Sequence, residues 1–321
     1  MLRYAARRLL ATIPVLLAVT LATFLLLHIV AGSFVPGLKL NPHLSLEDID
    51  RIRTNLGLNE PLYAQYFTWV SQVATGDFGH SLVDGTAVST LIGDTIWATV
   101  LLVGTAMLLG LLIAVPLGVI QAVRAASKFD NVTSAVVAVG YALPQFWISL
   151  IAILVFSVMF KQWGLPSLPS SGDRSPFDGS VPDRVSHLIL PASVLSLAYI
   201  ATWSRFVRSS MLEVLSSDYV RTARAKGMSE FRVVSVHALR NALLPLITMV
   251  SLELPALVGG AAVVEIVFGW PGVGQLAFNR ALQYDYTTVL GITVFIAILV
   301  LFANFVADIA YMFANPRIRL Q

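Results

Sequence analysis

The chain has 321 residues, of which 12 % are charged and 57 % hydrophobic, against roughly 25 % charged in a soluble domain. That composition excludes a water-soluble globule, whose surface needs more charge, and it excludes disorder, which needs low hydrophobicity. The absence of cysteine excludes disulfides, thiolate metal centres, iron–sulfur clusters and a cysteine nucleophile.

A membrane-spanning helix needs about 20 mainly apolar residues. Six stretches qualify, at about 9–31, 96–122, 134–160, 187–204, 242–268 and 288–313. The predicted fold is an all-α polytopic membrane protein with six transmembrane helices. The first span has a basic start, but its apolar run exceeds a signal-peptide core and no A-x-A-like site closes it, so it reads as an uncleaved anchor. Residues 32–95 form an insertion whose 46–70 part reads as helical, with Ser45 as N-cap and Gly57 and Pro61 as punctuation. Residues 96–313 make a core of five spans, with a polar loop at 205–241 and an irregular, Pro- and Ser-rich loop at 161–186. Residues 314–321 are a tail. Prolines 14, 116, 144, 191 and 255 lie inside these spans, where neighbouring helices satisfy the backbone groups they free, and Pro144 and Pro255 are possible segment breaks.

The net charge of +3 is not a nucleic-acid signal, because of where the charges fall. Fourteen of the 21 Lys and Arg residues lie in 1–8, 123–133, 205–241 and 314–321, which places those segments in the cytoplasm. Both termini are then cytoplasmic and 32–95 is external.

The densest basic segment runs Asp218-Tyr219-Val220-Arg221-Thr222-Ala223-Arg224-Ala225-Lys226-Gly227-Met228-Ser229. Asp218 suits an N-cap, Lys226 the last turn and Gly227 the left-handed position that ends a helix, giving about two capped turns. Ser229 then caps a second helix over 230–240. A short stiff helix between two spans suits force transmission to a cytoplasmic partner, with Ala223 and Ala225 small enough for close approach. Against this stands the plain reading that Arg221, Arg224 and Lys226 only obey the positive-inside rule.

This segment resembles the cytoplasmic EAA signature of ABC-importer permeases, in the version carried by dipeptide and oligopeptide permeases. Arg221-Thr222-Ala223 stands at the Glu-Ala-Ala position, Gly227 is the glycine, and Leu244-Pro245 is the downstream pair. The glutamate of the general signature is missing. Three further blocks agree in order: Arg3-Tyr4 with Arg7-Arg8-Leu9-Leu10; Gly76-Asp77-Phe78-Gly79-His80-Ser81 with Ala98-Thr99; and Gly259-Gly260 through Glu265 to Gly269-Trp270-Pro271-Gly272-Val273-Gly274. Trp97 stands before Ala98-Thr99 where the family often has proline.

The resemblance implies a type I ABC importer permease architecture in a bacterial inner membrane, with substrates that are di- or oligopeptides. It implies a second similar permease, two cytoplasmic ATPase domains that carry ATP and Mg, and an external binding protein. The implied ATPase-coupling residues are Asp218, Tyr219, Arg221, Thr222, Ala223, Arg224, Ala225, Lys226, Gly227 and Met228. The chain has no G-x-x-x-x-G-K-[ST] phosphate loop, so it binds no cofactor of its own and energy comes from a partner. Permeases of this type also serve nickel, glutathione, haem and short sugars. From other classes, an ion-gradient transporter coupled through Glu253 usually shows two related halves, which are not found. A membrane enzyme finds no nucleophile or metal cluster here.

Glu253, Glu265, Pro271 and Gly272 are pathway or gate candidates, since charge at membrane depth is functional by default. For Glu265, fixing the Trp-Pro-Gly turn is favoured over a substrate role. Glu253 either binds a backbone donor freed beside Pro255 or lines the pathway. Asp308 is expected to pair with an arginine of the tail. Gly259-Gly260 and Ala261-Ala262 suit close helix packing. Trp163, Trp270, Tyr284 and Tyr286 read as interfacial belt residues. The five histidines lack metal-ligand spacing.

Overall fold

A computed structural model describes residues 2–31, 45, 47, 59–253 and 261–314. Among these the chain is helical, with only two isolated bridge pairs and no strand. The helices are α1 (Leu2–Ala31), α2 (Leu62–Ala74), α3 (Val88–Val123), α4 (Lys128–Ala142), α5 (Gln145–Gln162), α6 (Val181–Leu215), α7 (Asp218–Ala225), α8 (230–253), α9 (Ala262–Val267), α10 (Val273–Leu282) and α11 (Tyr286–Ala314). Within α5 and α8 the stretches Ile153–Met159 and Val233–Ala238 are π-helical. Four helical stretches, Val88–Val123, Gln145–Gln162, Val181–Leu215 and Tyr286–Val306, are long and apolar enough to cross a membrane. Ala11–Leu26 of α1 is a shorter apolar run among the described residues.

Three expectations about element bounds are corrected. The stretch 134–160 is not one helix: α4 ends at Ala142 and α5 starts at Gln145, because Pro144 forces the extended backbone seen at Leu143. The stretch 242–268 is interrupted at Ala261, which precedes α9 with φ −109° and ψ 4°. Helix α6 runs on to Leu215, so the polar loop assigned to 205–241 begins as helix. At 35 residues α6 is about 52 Å long, well beyond the roughly 30 Å apolar thickness of a bilayer. Pro255, Gly259 and Gly260, residues 46 and 48–58 with Gly57 among them, and the Asp308 side chain lie outside the described residues.

The chain divides into two compact units. The first holds residues 1–98 and 272–305. In it α2 packs on α1 through Tyr66, whose hydroxyl lies 2.9 Å from Thr20 Oγ1, and through Phe24, stacked against Trp69 at 6.0 Å. A core of Val88, Ile92, Val273 and Ile292 joins α3, α10 and α11, with Phe78 packed against it. The Gly-Asp-Phe-Gly block supplies that Phe78. Asp77 Oδ1 accepts from Gly79 N at 2.8 Å, shaping the turn that delivers it. Asp285, fully buried, accepts from Ser81 Oγ at 2.6 Å, Leu82 N at 3.1 Å and Thr288 Oγ1 at 2.7 Å. Arg280 stands 3.7 Å from the same carboxylate and bonds Asp84 at 2.6 Å, which holds the Asp84 carboxyl well below the usual carboxylate range.

The second unit holds residues 99–271 together with the chain beyond 306. Its axis is α6, on which α4, α5, α8 and α9 pack. Helix α6 starts with Ser180 Oγ accepting from Asp183 N at 3.4 Å and with proline in its first turn, both ordinary helix-start chemistry. Trp203 and Tyr199 stack at 4.9 Å inside the unit. The α3–α6 seam is close because α3 presents glycine there. A Cβ on Gly118 would lie 2.6 Å from Ser204 O and 2.8 Å from Val207 Cβ, whereas one on Gly104 would meet nothing within 4 Å. Gly118→Ala is therefore expected to lower stability by about 1–3 kcal/mol through overpacking. Gly104→Ala is expected to be neutral or stabilising. Thermal unfolding of the detergent-solubilised chain distinguishes the two.

Trp270 and Tyr286 are 2 % and 8 % exposed and belong to the interior, which corrects their reading as belt residues. Trp163 and Tyr284 are exposed, at 60 % and 48 %.

Candidate functional site

The segment Ser216–Ser229 folds as a short helix between two turns. Ser217, not Asp218, is the N-cap residue, and its hydroxyl donates to Val214 O at 2.6 Å rather than capping. Asp218 is instead the first helical residue, where its charge suits the positive end of the helix. At the other end Lys226 is the C-cap and Gly227 has φ +74°. Gly227 N donates to Arg224 O at 2.9 Å and Met228 N to Ala223 O at 3.4 Å. This paired closure is a Schellman motif, and its left-handed residue is the one place in the segment that demands glycine. Ser229 is the N-cap of α8, as expected, but α8 does not stop near Arg240: it continues to Glu253.

The short helix has two faces. Val220 and Ala223, three residues apart, are buried with Val233 of α8, and Val214, Leu215 and Met228 pack around them. Ala223 thus faces the chain's own interior. Its expected role in admitting a partner is corrected, and the exposed Ala225 is the small residue on the outer face. Asp218, Arg221, Thr222, Arg224 and Lys226 are exposed as well. Tyr219 Oη accepts from Asn241 Nδ2 at 2.9 Å, tying the helix to α8. Arg224 forks onto Glu230 at 2.5 and 3.1 Å and holds that carboxyl below its ordinary range. The result is a rigid knob, fastened by an apolar underside and two polar ties, that presents a mixed-charge outer face.

Glu265 is fully buried and accepts from Thr99 Oγ1 at 2.7 Å. Its carbonyl also closes the end of α9. Trp270 N donates to Glu265 O at 2.8 Å and Gly269 N to Ile266 O at 3.3 Å, with Gly269 at φ +57°. This second Schellman closure is made by backbone atoms that any residue would supply, while the Glu265 carboxylate itself reaches Thr99 of α3. Glu253 ends α8, half-buried and within electrostatic range of Tyr199 and Trp203 of α6. Gly272 is the N-cap of α10, and the division between the two units falls between Pro271 and Gly272.

Two polar sites were missed in the sequence. One is the Asp285 cluster. The other is Asp130, 2 % exposed, at the start of α4. Its Oδ1 and Oδ2 accept from Arg208 Nε at 2.8 Å and Nη2 at 2.7 Å, and Oδ2 also accepts from Ala126 N at 2.9 Å. The Arg208 guanidinium, before all other causes, holds the Asp130 carboxyl down to about 2. A carboxyl lowered on folding contributes its stability in full above the ordinary carboxylate value and loses it as pH falls through about 2. The pair is therefore charged at every physiological pH.

All-helical units built on long apolar helices, with a capped polar knob at the end of one of them, fit a membrane-spanning chain. Residues 114–320 match the family described as binding-protein-dependent transport system inner membrane component, and residues 1–103 match that family's N-terminal model. The chain belongs to this family and is a multi-pass membrane protein. It is 42 % identical to an oligopeptide transport system permease protein of Bacillus subtilis, covering 99 % of each chain. It is 41 % identical to a di/tripeptide transport system permease of Pseudomonas aeruginosa, covering both chains in full. Identity to the dipeptide transport system permease of Escherichia coli is 36 % over 99 % of each chain. An inward-facing structure of the MetNI methionine ABC transporter shares the fold, with TM-score 0.56, 20 % identity, and coverage of 70 % of this chain and 96 % of that one.

Proposed function

We propose that this chain is a pathway-forming permease subunit of an ATP-driven ABC importer for di- or oligopeptides. The observation that carries the reading is full-length similarity to peptide permeases at 36–42 % identity. In this reading the chain has six spans with both termini in the cytoplasm of a bacterial inner membrane. It pairs with a second, similar permease. An external binding protein delivers the peptide, and two cytoplasmic ATPase domains holding ATP and Mg dock on Asp218 to Met228. The support for that docking is the fastened knob itself: a partner pushing on a helix with a packed underside moves the elements beneath it, whereas a loose loop would absorb the push.

The test is reconstitution of the chain with its partner permease, ATPases and binding protein in vesicles, followed by uptake of labelled alanyl-alanine. Uptake that requires ATP supports the reading. Uptake by this chain alone, driven by a proton gradient, refutes it. ATP-dependent uptake of nickel, glutathione or haem with none of peptide refutes the substrate class and keeps the transporter class.

A further inference from the structure

The Asp130–Arg208 pair lies away from the knob, yet it is attached to the element that carries the knob. Arg208 sits on α6, two turns before that helix ends at Leu215 and the short helix α7 begins. Asp130 opens α4. Its carboxylate is saturated: both guanidinium bonds, the Ala126 N–H, and Ser134 Oγ at 3.4 Å converge on two oxygens. Ser127 fixes the same turn by accepting from Asp130 N at 3.2 Å, and Ala126 is held there at φ 59°, a left-handed conformation costly for a residue with a Cβ. One turn from Arg208, Arg205 places its guanidinium 5.3 Å from the centre of the Tyr141 ring, close to the other end of α4. Two arginines of α6 thus grip α4 near both of its ends.

Stability alone does not account for this arrangement. With its carboxylate buried and its guanidinium side chain 32 % exposed, the ion pair adds little over an apolar pair, because desolvation and solvent screening offset the attraction. What the bidentate fork adds is geometry, since both bonds form at only one relative placement of donor and acceptor. Of the two helices so joined, one leads directly into the docking knob. The other leads through Leu143–Pro144 into α5.

We infer that Asp130 and Arg208 are positioning residues for coupling: they make α4 follow α6 when the knob is displaced, so that ATPase movement reaches α5 as well as α6. The inference rests on the coupling reading above. Without the fork, α6 still moves with the ATPases but α4 slips, and hydrolysis is no longer matched by transport.

The experiment uses the complete reconstituted complex and reads alanyl-alanine transported per ATP hydrolysed, with co-purification of the ATPases as the measure of assembly. Asp130→Asn, Arg208→Gln and the double variant are compared. The expected result is assembled complexes that hydrolyse ATP, with the ratio lowered about tenfold, the size of an ordinary coupling free energy. The double variant should be no worse than either single. An unchanged ratio in all three, or losses that multiply in the double, overturns the inference. If these variants do not assemble, Arg208→Lys decides, since it keeps the charge and loses the fork: a lowered ratio supports the clamp and a wild-type ratio overturns it. Failure of the underlying reading shows separately, as wild-type transport that does not depend on ATP, and it removes the clamp as well.

Discussion

Ala223→Asp is expected to disable ATP-coupled transport while the chain still inserts in the membrane. Ala223 is 7 % exposed and lies with Val220 and Val233, both fully buried, under the short helix. A carboxylate there has no cation within the cluster, and an uncompensated buried charge costs on the order of 3–5 kcal/mol. No single short helix withstands that, so the helix lifts from α8 and its outer face is no longer presented on a rigid base. Measured together, ATPase co-purification and peptide uptake should both fall, with membrane yield unchanged. Gly227→Ala is the contrasting case. A Cβ at Gly227 meets nothing within 4 Å, so the cost is only the left-handed backbone at φ +74°, about 1–2 kcal/mol. Its effect on uptake should be partial. Equal loss in both variants would mean that the packed underside is not what the knob depends on.

Asp285→Ala is expected to be the most destabilising single change in the first unit. Asp285 does three things. Its backbone N–H donates to Arg280 O at 2.9 Å, closing the end of α10 across a left-handed Tyr284. Its carboxylate caps α11 by accepting from Thr288 N at 3.3 Å. The same carboxylate ties down Ser81 and Leu82. Truncation leaves those donors without their acceptor in a buried place, at about 1–3 kcal/mol for each, while Arg280 keeps its bond to Asp84. Asp285→Asn keeps an acceptor for the cap and should lose less. Thermal unfolding in detergent ranks the two, and equal midpoints for Ala and wild type would show that the cluster is not holding the turn.

Much of the fold was legible because apolar runs of membrane length admit only helices. What composition could not show was where those runs break. Pro144 sits in the middle of 134–160 with apolar residues on both sides, so hydropathy passes through it unchanged while the backbone does not. The opposite error occurred at Arg205 and Arg208. Their charges ended the predicted span, yet both belong to a helix that simply runs on past the apolar stretch. At the knob, the stop at Gly227 was readable because a Schellman ending has a local residue requirement. The inward turn of Ala223 was not, because it depends on Val233 ten residues away and across another turn. Asp285 had a readable cap pattern with Thr288, hidden by starting the last span at Thr288 itself. Asp130 and Arg208 are 78 positions apart, a pairing that no spacing rule announces.

The connectors on either side of the knob carry a consequence of their own. Only Ser216 and Ser217 separate α6 from α7, and two residues span at most about 7 Å. On the far side, four residues, Lys226 to Ser229, lead into α8. The knob is therefore moored on short lines at both ends, with no slack to take up. Any displacement of the knob beyond a few ångströms must haul on α6 and α8 together, so the two helices answer it simultaneously and not in succession.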